Sequence, residues 1–425
     1  MVRNIHWILL FVGITIFPHI SQAQNLTVSP YSRYGLGDII NNSTVRNAAM
    51  GGIGTATNNY FGVNRINPAS YADLLYTTLD VSGFGQGSRL KTSDAATAET
   101  QYTAGLQNLS FAFPSNKKLA IAFGFAPYTS IGYDISSTYD VQLQEDTVLT
   151  GVSNYQADGG LNQAFIGIAG KLWKGKIRIG GNFTYAFGST QYGWQSFVAN
   201  NTQYIPTSLT ERVFLNGISG QLGVMVTDTI KGGYRWRLGA TAEYSTNMTG
   251  SRLRILTNGF VTDSLGGEAT GTVSLPPKFS AGVGFEKLNK WFIGADVVMQ
   301  DWSNFRYFED STNFNQDLRI AIGGEILPNW QGKYMARIKY RLGAYYHNSY
   351  FSFNNAPVND YGVTFGFGFP TKGLRRAFRN GATVNIGFEV GKRGSLNDHP
   401  LEEIYGKVRI GININEQWFQ RRVID

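Results

Sequence analysis

Alternation of apolar and polar side chains is clearest in residues 290–302 of this chain. The odd positions from Trp291 to Met299 are all apolar, whereas the even positions include Asp296. A strict period of two predicts an extended strand with one side toward an apolar medium and the other toward a polar one. Because Trp291 and Trp302 stand near its two ends, where bilayer interfaces favour tryptophan, the segment predicts one strand of a membrane-spanning β-barrel.

Similar alternation recurs from about residue 75 to about residue 415. Fourteen segments are predicted as strands: 75–87, 101–114, 118–134, 160–173, 176–194, 210–227, 234–254, 270–286, 290–304, 316–327, 333–347, 360–370, 381–392 and 402–415. Most connections after even-numbered strands are short, and those after odd-numbered strands are longer and polar, as in outer-membrane barrels with short periplasmic turns and long outer loops. The pattern therefore predicts an all-β, antiparallel transmembrane barrel of about fourteen strands.

Charged side chains share one face of several predicted strands, as Arg178 does opposite Ile179. A charge facing lipid at the bilayer midplane costs about 2–4 kcal/mol, so the charged faces must line the lumen. Two interpretations stay open, since these groups either form cross-strand salt bridges that stiffen the wall or leave a surplus of cations that guides an anionic headgroup. The predicted lumen charges are Arg178, Arg237, Asp296, Arg337, Lys339, Arg341 and Arg409.

The chain before the first strand divides into two parts. Residues 1–23 have the positive start, short apolar core and small-residue cleavage site of a secretory signal peptide. Residues 24–74 are too short for a separate domain and too rich in glycine and apolar residues for a flexible tail. We therefore expect them to form a compact hatch, or plug, inside the barrel; a disordered leader is the alternative. The barrel is predicted over 75–416, and residues 417–425 are predicted to form a periplasmic tail.

Two further features bear on the wall. The third and twelfth predicted strands have small inward faces, such as Ala122 and Gly366, which leave room for an internal plug. Pro127 interrupts the third strand, and proline cannot donate a hydrogen bond to a strand ladder. Either the wall has a lateral opening at Pro127, or Pro127 lies above the membrane where pairing has ended.

Several motifs resemble the FadL/TodX-type outer-membrane barrels that import hydrophobic compounds. They are residues 46–56, Asn67-Pro68-Ala69, residues 275–277 and residues 291–305. The resemblance implies fourteen strands, a hatch that holds Gly51, Gly52, Asn67, Pro68 and Ala69, and a lateral exit near the third strand. It also implies passive uptake of small hydrophobic molecules, with a fatty-acid-like carboxylate as one candidate headgroup.

Two departures keep a second function open. Residues 31–37 and the non-aromatic end of the chain resemble a sub-branch in which some relatives serve type IX secretion as shuttles or plugs. The alternative hypothesis is therefore a lumen-plugged barrel that acts as a binding partner of a secretion translocon.

The amino-acid composition gives little support for catalysis, metal binding or nucleic-acid binding. The chain has no cysteine, and only His347 and His399 lie outside the signal segment, with no supporting catalytic or metal-binding motif around either. The net charge of +8 collects in the predicted periplasmic turns, where it would meet lipid headgroups, so it gives no reason to expect nucleic acid. We expect no catalytic residue, metal or cofactor, and the predicted partners are lipid, a hydrophobic small molecule and a secretion-system protein.

Overall fold

The computed structural model of the protein describes most of the chain after residue 24. The described residues are 25–41, 43–93, 97–115, 118–144, 147–199, 204–245, 247–308, 310–311, 314–353, 356–371 and 381–416. The predicted signal peptide and the predicted C-terminal tail lie outside this set. So does the turn after the twelfth predicted strand, residues 371–380, apart from Thr371; its basic side chains indicate a short helix there.

Fourteen antiparallel strands form a closed wall, in which each strand pairs with its neighbours and the last pairs with the first. The register of closure runs from Thr77 opposite Glu416 to Thr92 opposite Leu401. The wall strands are β2 (Thr77–Thr92), β3 (Glu99–Pro114), β4 (Leu119–Pro127), β6 (Thr147–Leu172), β7 (Ile177–Val198), β8 (Thr207–Ile230), β9 (Tyr234–Ser245), β12 (Lys278–Lys287), β13 (Trp291–Asp301), β16 (Gln316–Ile326), β17 (Lys339–Phe353), β18 (Ala356–Thr371), β19 (Ala382–Arg393) and β20 (Leu401–Glu416).

Exposure along the wall follows the predicted alternation. On β7 the side chains of Arg178 and Asn182 are buried, whereas those of Ile179 and Phe183 are exposed. An apolar exterior around a polar interior is stable only where lipid covers the outside, because water would otherwise meet a large apolar surface. The fold class is confirmed, and this architecture agrees with the predicted location in the outer membrane of a Gram-negative bacterium.

Six further strands lie outside the ring of wall pairings, most of them on the outer side. They are β1 (Asp38–Ile39), β5 (Thr129–Gln144), β10 (Met248–Asn258), β11 (Val261–Ser274), β14 (Arg306–Tyr307) and β15 (Asp310–Ser311). Two predicted strands are therefore divided. The third breaks at Tyr128 between β4 and β5, and the seventh ends at Ser245 before the β10–β11 hairpin begins.

Two sequence predictions fail at strand ends. Trp302 is 1% exposed in a 3-10 helix, Trp302–Asn304, beneath the outer loops, so it is not an interface anchor. Arg337 ends another 3-10 helix, Tyr334–Arg337, which precedes β17. It therefore does not lie on the wall face predicted for it, because the turn after β16 is longer than the sequence pattern indicated.

The helices of the described residues are short. They are α1 (Val45–Ala48) and the 3-10 helices Pro30–Arg33, Pro68–Asp73, Trp173–Gly175, Trp302–Asn304 and Tyr334–Arg337. Within the described ranges, no helix combines the length and the apolar character needed to cross a membrane. The predicted hatch, residues 24–74, is described over 25–41 and 43–74, which include the first three of these helices. An N-terminal hatch inside the barrel is part of the confirmed fold class.

Candidate functional site

A belt of inward-facing glycines on the wall receives the backbone of the hatch. A Cβ atom added at Gly343 would lie 2.8 Å from the Cα of Met50, and one added at Gly180 would lie 2.8 Å from the main-chain nitrogen of Ala69. Contacts this short are not tolerated between carbon and backbone atoms, so only glycine allows the hatch to lie against these strands. The glycine belt consists of Gly180, Gly239, Gly282, Gly323 and Gly343, which meet the hatch main chain, and of Gly223, Gly366 and Gly411, which meet hatch side chains.

Wall side chains also bond the hatch main chain directly. One carboxylate oxygen of Asp296 accepts hydrogen bonds from the N–H groups of Gly54 (2.6 Å) and Thr55 (2.8 Å). The N–H of Gly51 donates to the hydroxyl of Thr364 at 2.7 Å. Hydrogen bonds to an ionised acceptor are stronger than neutral ones, so Asp296 is a principal anchor of the hatch.

A buried ionic cluster joins the hatch to the last third of the wall. Arg46 of α1 donates to both carboxylate oxygens of Glu325, each at 3.0 Å. Glu325 also accepts from Arg341 at 2.7 Å, and Arg341 donates to Asn385 at 2.8 Å. Burial alone would raise the free energy of each charge, and the mutual pairing offsets that cost. The hatch is therefore held by charge as well as by shape.

Other charges complete the same arrangement. On the opposite side of the lumen, Asp73 at the end of the second hatch 3-10 helix pairs with Lys171 at 3.0 Å and with Arg178. Asn58, also in the hatch, donates to Asp73 at 2.8 Å. Among the described residues, Lys171 stands opposite Arg178, and Arg178 opposite Met225 on the next strand, so neither faces a carboxylate in these registers. The hatch supplies the countercharge through Asp73. The sequence missed Arg46 and Asp73 because neither sits in an alternating segment.

Most of the predicted lumen charges are paired. Arg237 pairs with Glu286, and Arg409 with Glu389 at 2.5 Å. Lys339 lies 5.9 Å from the ring centre of Phe61 in the hatch. Arg178, Asp296 and Arg341 make the hatch and wall bonds described above, and Arg337 lies before its strand. The salt-bridge interpretation therefore accounts for these side chains better than a free cationic surface does.

The predicted hatch residues lie together at the wall. Asn67 and Pro68 begin the 3-10 helix Pro68–Asp73, and the Asn67 side chain caps it by accepting from the N–H of Ala69 at 3.0 Å. The amide of Asn67 also donates to the carbonyl of Val224 on β8 at 3.1 Å. Gly51 and Gly52 follow α1 with positive φ angles of 70° and 79°.

A cavity of about 320 Å³ lies on the outer side of the hatch. It is lined by the hatch residue Arg65 and by many charged and polar groups, including Arg319, Asp317 and Glu403. The guanidinium of Arg65 lies 4.5 Å from the ring centre of Phe165, and no carboxylate within the described residues pairs with it. Burial lowers the pKa of Arg65 to about 10, so the group stays charged at neutral pH.

Aromatic side chains close the outer mouth over this cavity. Trp302 stacks on Tyr350 with ring centres 4.2 Å apart, and Tyr34 of the hatch stacks on Phe351 at 5.1 Å. Tyr31 donates a hydrogen bond to the carbonyl of Leu401. The motif of residues 31–37 thus fastens the start of the hatch to the outer loops. We call this cluster, centred on Tyr31, Tyr34, Trp302, Phe305, Tyr350 and Phe351, the outer aromatic core.

The wall has a gap beside the cavity. β3 pairs with β4 only from Leu109 opposite Phe125 to Pro114 opposite Ala120. Above that point, the described residues contain no ladder between β3 and either β4 or β5. The gap is thus at the level of Pro127, at the end of β4.

Residues 25–39, here called the N-terminal arm, occupy this gap. Leu26 packs on Gly105 of β3, on one side of the gap. On the other side β1 pairs with β5 through Asp38 opposite Ser130, and the N–H of Ile40 donates to the carbonyl of Tyr128 at 2.9 Å. The arm therefore separates the cavity from the outside of the barrel at this point.

The two histidines are not brought together. His347 bonds Asp317 at 2.8 Å on the cavity side, whereas His399 lies in an outer loop against Ser395. In the part of the chain that the structure describes, no cluster of histidine and carboxylate side chains has the arrangement of a metal site.

Comparison with known proteins gives a family and a fold. A family model described as BamG matches residues 1–425. No curated protein matches the sequence.

Solved structures of similar fold cover most of the chain. The toluene transporter TodX of Pseudomonas putida has a TM-score of 0.58 and 12% identity, covering 90% of this chain and 100% of TodX. The monoaromatic hydrocarbon channel CymD has a TM-score of 0.57 and 13% identity, covering 91% and 100%. A FadL homologue of Pseudomonas aeruginosa has a TM-score of 0.60 and 10% identity, covering 88% and 98%. The predicted resemblance to FadL/TodX-type barrels is confirmed at the level of fold.

Proposed function

This chain belongs to the BamG family over its whole length, and from that premise and the gap in its wall we propose that it is an outer-membrane channel for small hydrophobic molecules. The proteins of similar fold are described as channels or transporters for toluene and monoaromatic hydrocarbons. In the proposed path, cargo reaches the cavity above the hatch and leaves sideways through the lateral opening at Pro127 once the N-terminal arm moves. No catalytic step is proposed.

The single observation that carries this proposal is the interrupted ladder between β3 and β4 directly beside a cavity. A closed barrel keeps its main-chain groups paired around the whole ring, because an unpaired group in lipid costs several kcal/mol. Here the pairing between β3 and β4 ends at Leu109 opposite Phe125, and a short, separate segment of the chain fills the space beyond it. A removable segment in a wall gap is the arrangement that lateral release requires.

The lining of the cavity favours a cargo with one polar end. Arg65 is buried and charged without a carboxylate partner in the described residues, and Arg319 lines the same cavity. An anionic headgroup, such as the carboxylate of a fatty-acid-like molecule, would offset the cost of burying Arg65. A wholly apolar cargo would gain little from this lining. We therefore propose carboxylate-bearing hydrophobic molecules as the substrate class.

A disulfide lock tests the path, since the native chain has no cysteine. Leu26→Cys with Gly105→Cys would tie the N-terminal arm to β3. We expect the oxidised variant in proteoliposomes to lose uptake of radiolabelled laurate and to regain it after reduction. The matched control is Val283→Cys with Ala295→Cys, which are register partners on the intact wall. Equal uptake by the oxidised and reduced Leu26/Gly105 variant would contradict the proposal.

A second candidate function follows from the closure of the lumen. The hatch is held by the glycine belt and the Arg46–Glu325 cluster, and the outer aromatic core covers the mouth. A barrel built this way also suits a binding partner of a type IX secretion translocon that conducts nothing. Gentle solubilisation of the membranes, followed by mass analysis of the purified barrel, distinguishes transport from docking. Docking predicts a large partner protein in stoichiometric amount and no retained lipid. Transport predicts retained hydrophobic molecules.

A further inference from the structure

On the outer side, the wall strands β6, β7 and β8 extend beyond the barrel and pair with β5, β10 and β11. Together they form one outer sheet in the order β5–β6–β7–β8–β10–β11. Its ladders are continuous from Ile131 opposite Gly159 at one side to Asn258 opposite Val261 at the other. Unlike the barrel, this outer sheet does not close on itself within the described residues. It therefore has two edges, β5 and β11, and each is paired on one side only over most of its length.

The outer sheet has two chemically different faces. Direct register partners on five adjacent strands form an apolar row on the side that continues the lumen face: Ile135, Tyr155, Trp194, Leu209 and Leu256. The neighbouring row on the opposite face is polar: Ser136, Asn154, Gln195, Ser208 and Thr257. A segment added to an edge must therefore alternate in the same way if it is to match both faces.

The direction of the free main-chain groups on β5 follows from Gly132. Its N–H donates to the hydroxyl of Ser32 in the N-terminal arm at 3.1 Å, and its carbonyl accepts from the same hydroxyl at 3.3 Å. Main-chain groups of alternate residues in an antiparallel strand point to the same side. Those of Asp134, Ser136 and Thr138 therefore point to the outer edge of β5. Past Ser130, the described residues supply no main-chain partner on that side.

Over residues 131–142 the edge of β5 has few of the features that normally prevent strand addition. Edge strands are usually protected by lysine, proline, bulges or shortness. Residues 131–144 contain no lysine, arginine or proline, and their only charged side chains are Asp134 and Asp140. The register shift of β5, between Gln142 and Gln144, lies beyond residues 134–140. The other edge is protected, because β11 has a register shift and positive φ angles at Gly266 (77°) and Gly267 (70°). Of the two edges, β5 is the one built to accept a strand.

We propose that the outer edge of β5 binds an extended segment of a second protein at the cell surface by strand addition. Asp134 and Asp140 project from the polar face of this edge, so the segment should carry lysine or arginine at alternate positions there. On the other face it should place an apolar side chain beside Ile135, which lengthens the apolar row. This site does not depend on whether the barrel transports anything.

A second copy of the chain paired symmetrically about Ser137 is a poorer occupant. In an antiparallel self-pair centred on Ser137, Asp134 would stand directly opposite Asp140. Like charges directly opposite each other destabilise a strand pair. A basic partner strand removes this repulsion and replaces it with attraction.

Binding of a model strand to the full chain in nanodiscs tests the proposal. The probe is a fluorescent ten-residue peptide that alternates lysine and valine, and the control peptide has proline at its two central valines. We expect the first peptide to raise fluorescence anisotropy and to slow hydrogen exchange at residues 134–140, and the proline peptide to bind at least tenfold more weakly. Equal binding of both peptides, no slowing of exchange, or pairing of two copies at this edge would overturn the proposal.

Variants assign the effect to the edge. Asp134→Asn with Asp140→Asn should weaken peptide binding at least fivefold, whereas Asp158→Asn, on the same face of the doubly paired β6, should not. Ser136→Pro removes one outward N–H and should abolish binding while the heat-dependent gel shift of the folded barrel is retained, because edge strands tolerate proline. Unchanged binding by a folded Ser136→Pro protein would also overturn the proposal.

Discussion

At the scale of single residues, wall glycines make room for the hatch, and wall side chains form hydrogen bonds with it. Gly343 and Gly323 face each other on neighbouring strands, and both lie against Met50. Side chains fill the interior of small barrels, whereas wider barrels leave a lumen that a plug can occupy. Here the missing Cβ atoms leave a shallow track for a second backbone, and Asp296 fixes the register of that backbone by bonding two successive N–H groups.

A bulky residue in this track should displace the hatch. We expect Gly343→Leu to increase ion conductance in planar bilayers severalfold, because leucine would occupy the space of Met50 and Gly51. Gly406→Leu is the matched control, since an added Cβ at this wall glycine meets no atom within 4 Å. The same conductance for the Gly343→Leu variant and the native chain would show that the hatch is not held by close packing.

The ionic cluster makes a separate prediction. Glu325→Ala leaves Arg46 and Arg341 buried without their shared carboxylate, and breaking a buried pair in this way typically costs about 3–5 kcal/mol. We expect a lower unfolding midpoint in guanidinium chloride for this variant. Arg46→Ala should cost less in the Glu325→Ala background than in the native chain, because the two groups are coupled. Additive effects in this cycle would contradict a direct contribution of the pair.

At the scale of elements, the first hatch segment is part of the outer loops rather than of the periplasmic side. The 3-10 helix Pro30–Arg33 enters the outer aromatic core, and Arg393 of β19 lies over the ring of Tyr31 at 4.9 Å while it pairs with Asp38 at 2.8 Å. Cation–π contacts of this kind add about 0.5–2 kcal/mol. The hatch thus connects the outer loops to the interior of the barrel.

Loosening this core should expose the outer loops to proteases. We expect Trp302→Ala to make the barrel sensitive to proteinase K in intact cells, because Trp302 fills the centre of the core and large-to-small changes there cost about 3–5 kcal/mol. Trp173→Ala is the control, since Trp173 is 77% exposed at a periplasmic turn. Equal resistance of both variants would argue that the loops are held mainly by the strand ladders.

At the scale of the whole molecule, the wall and the hatch share ion pairs. Lys171 and Arg178 of the wall find their carboxylate in Asp73 of the hatch. Removal of the hatch would leave these cations in a water-filled lumen, where solvent screens them. The wall ladders do not depend on the hatch over most of their length.

Deletion of residues 24–71 should therefore leave a folded but leaky barrel. We expect the deletion variant to keep the heat-dependent gel shift of a closed barrel and to conduct ions in liposomes far better than the full chain. The full chain in the same liposomes is the control. If the deletion variant folds and conducts no better than the full chain, the hatch is not what blocks the lumen.

The sequence alone determined the number of wall strands, the face that each turns to lipid and the presence of an inner hatch. Alternation carries this information because a charge in the apolar layer of the bilayer is costly. Each strand must therefore place apolar residues on its lipid-facing side, and this pattern is visible in its own sequence. Predicted lumen positions such as Arg178 and Arg341 are therefore buried in the structure.

Only the tertiary structure decided which side chains meet across the lumen and where the wall is left open. The pairing of Arg46 with Glu325 joins positions 279 residues apart, and no local period reports such a contact. The gap beside β3, the free edge of β5 and the buried place of Trp302 follow from how strands end and how loops fold over one another. These features depend on contacts between positions far apart in the sequence, and local alternation contains no information about such contacts.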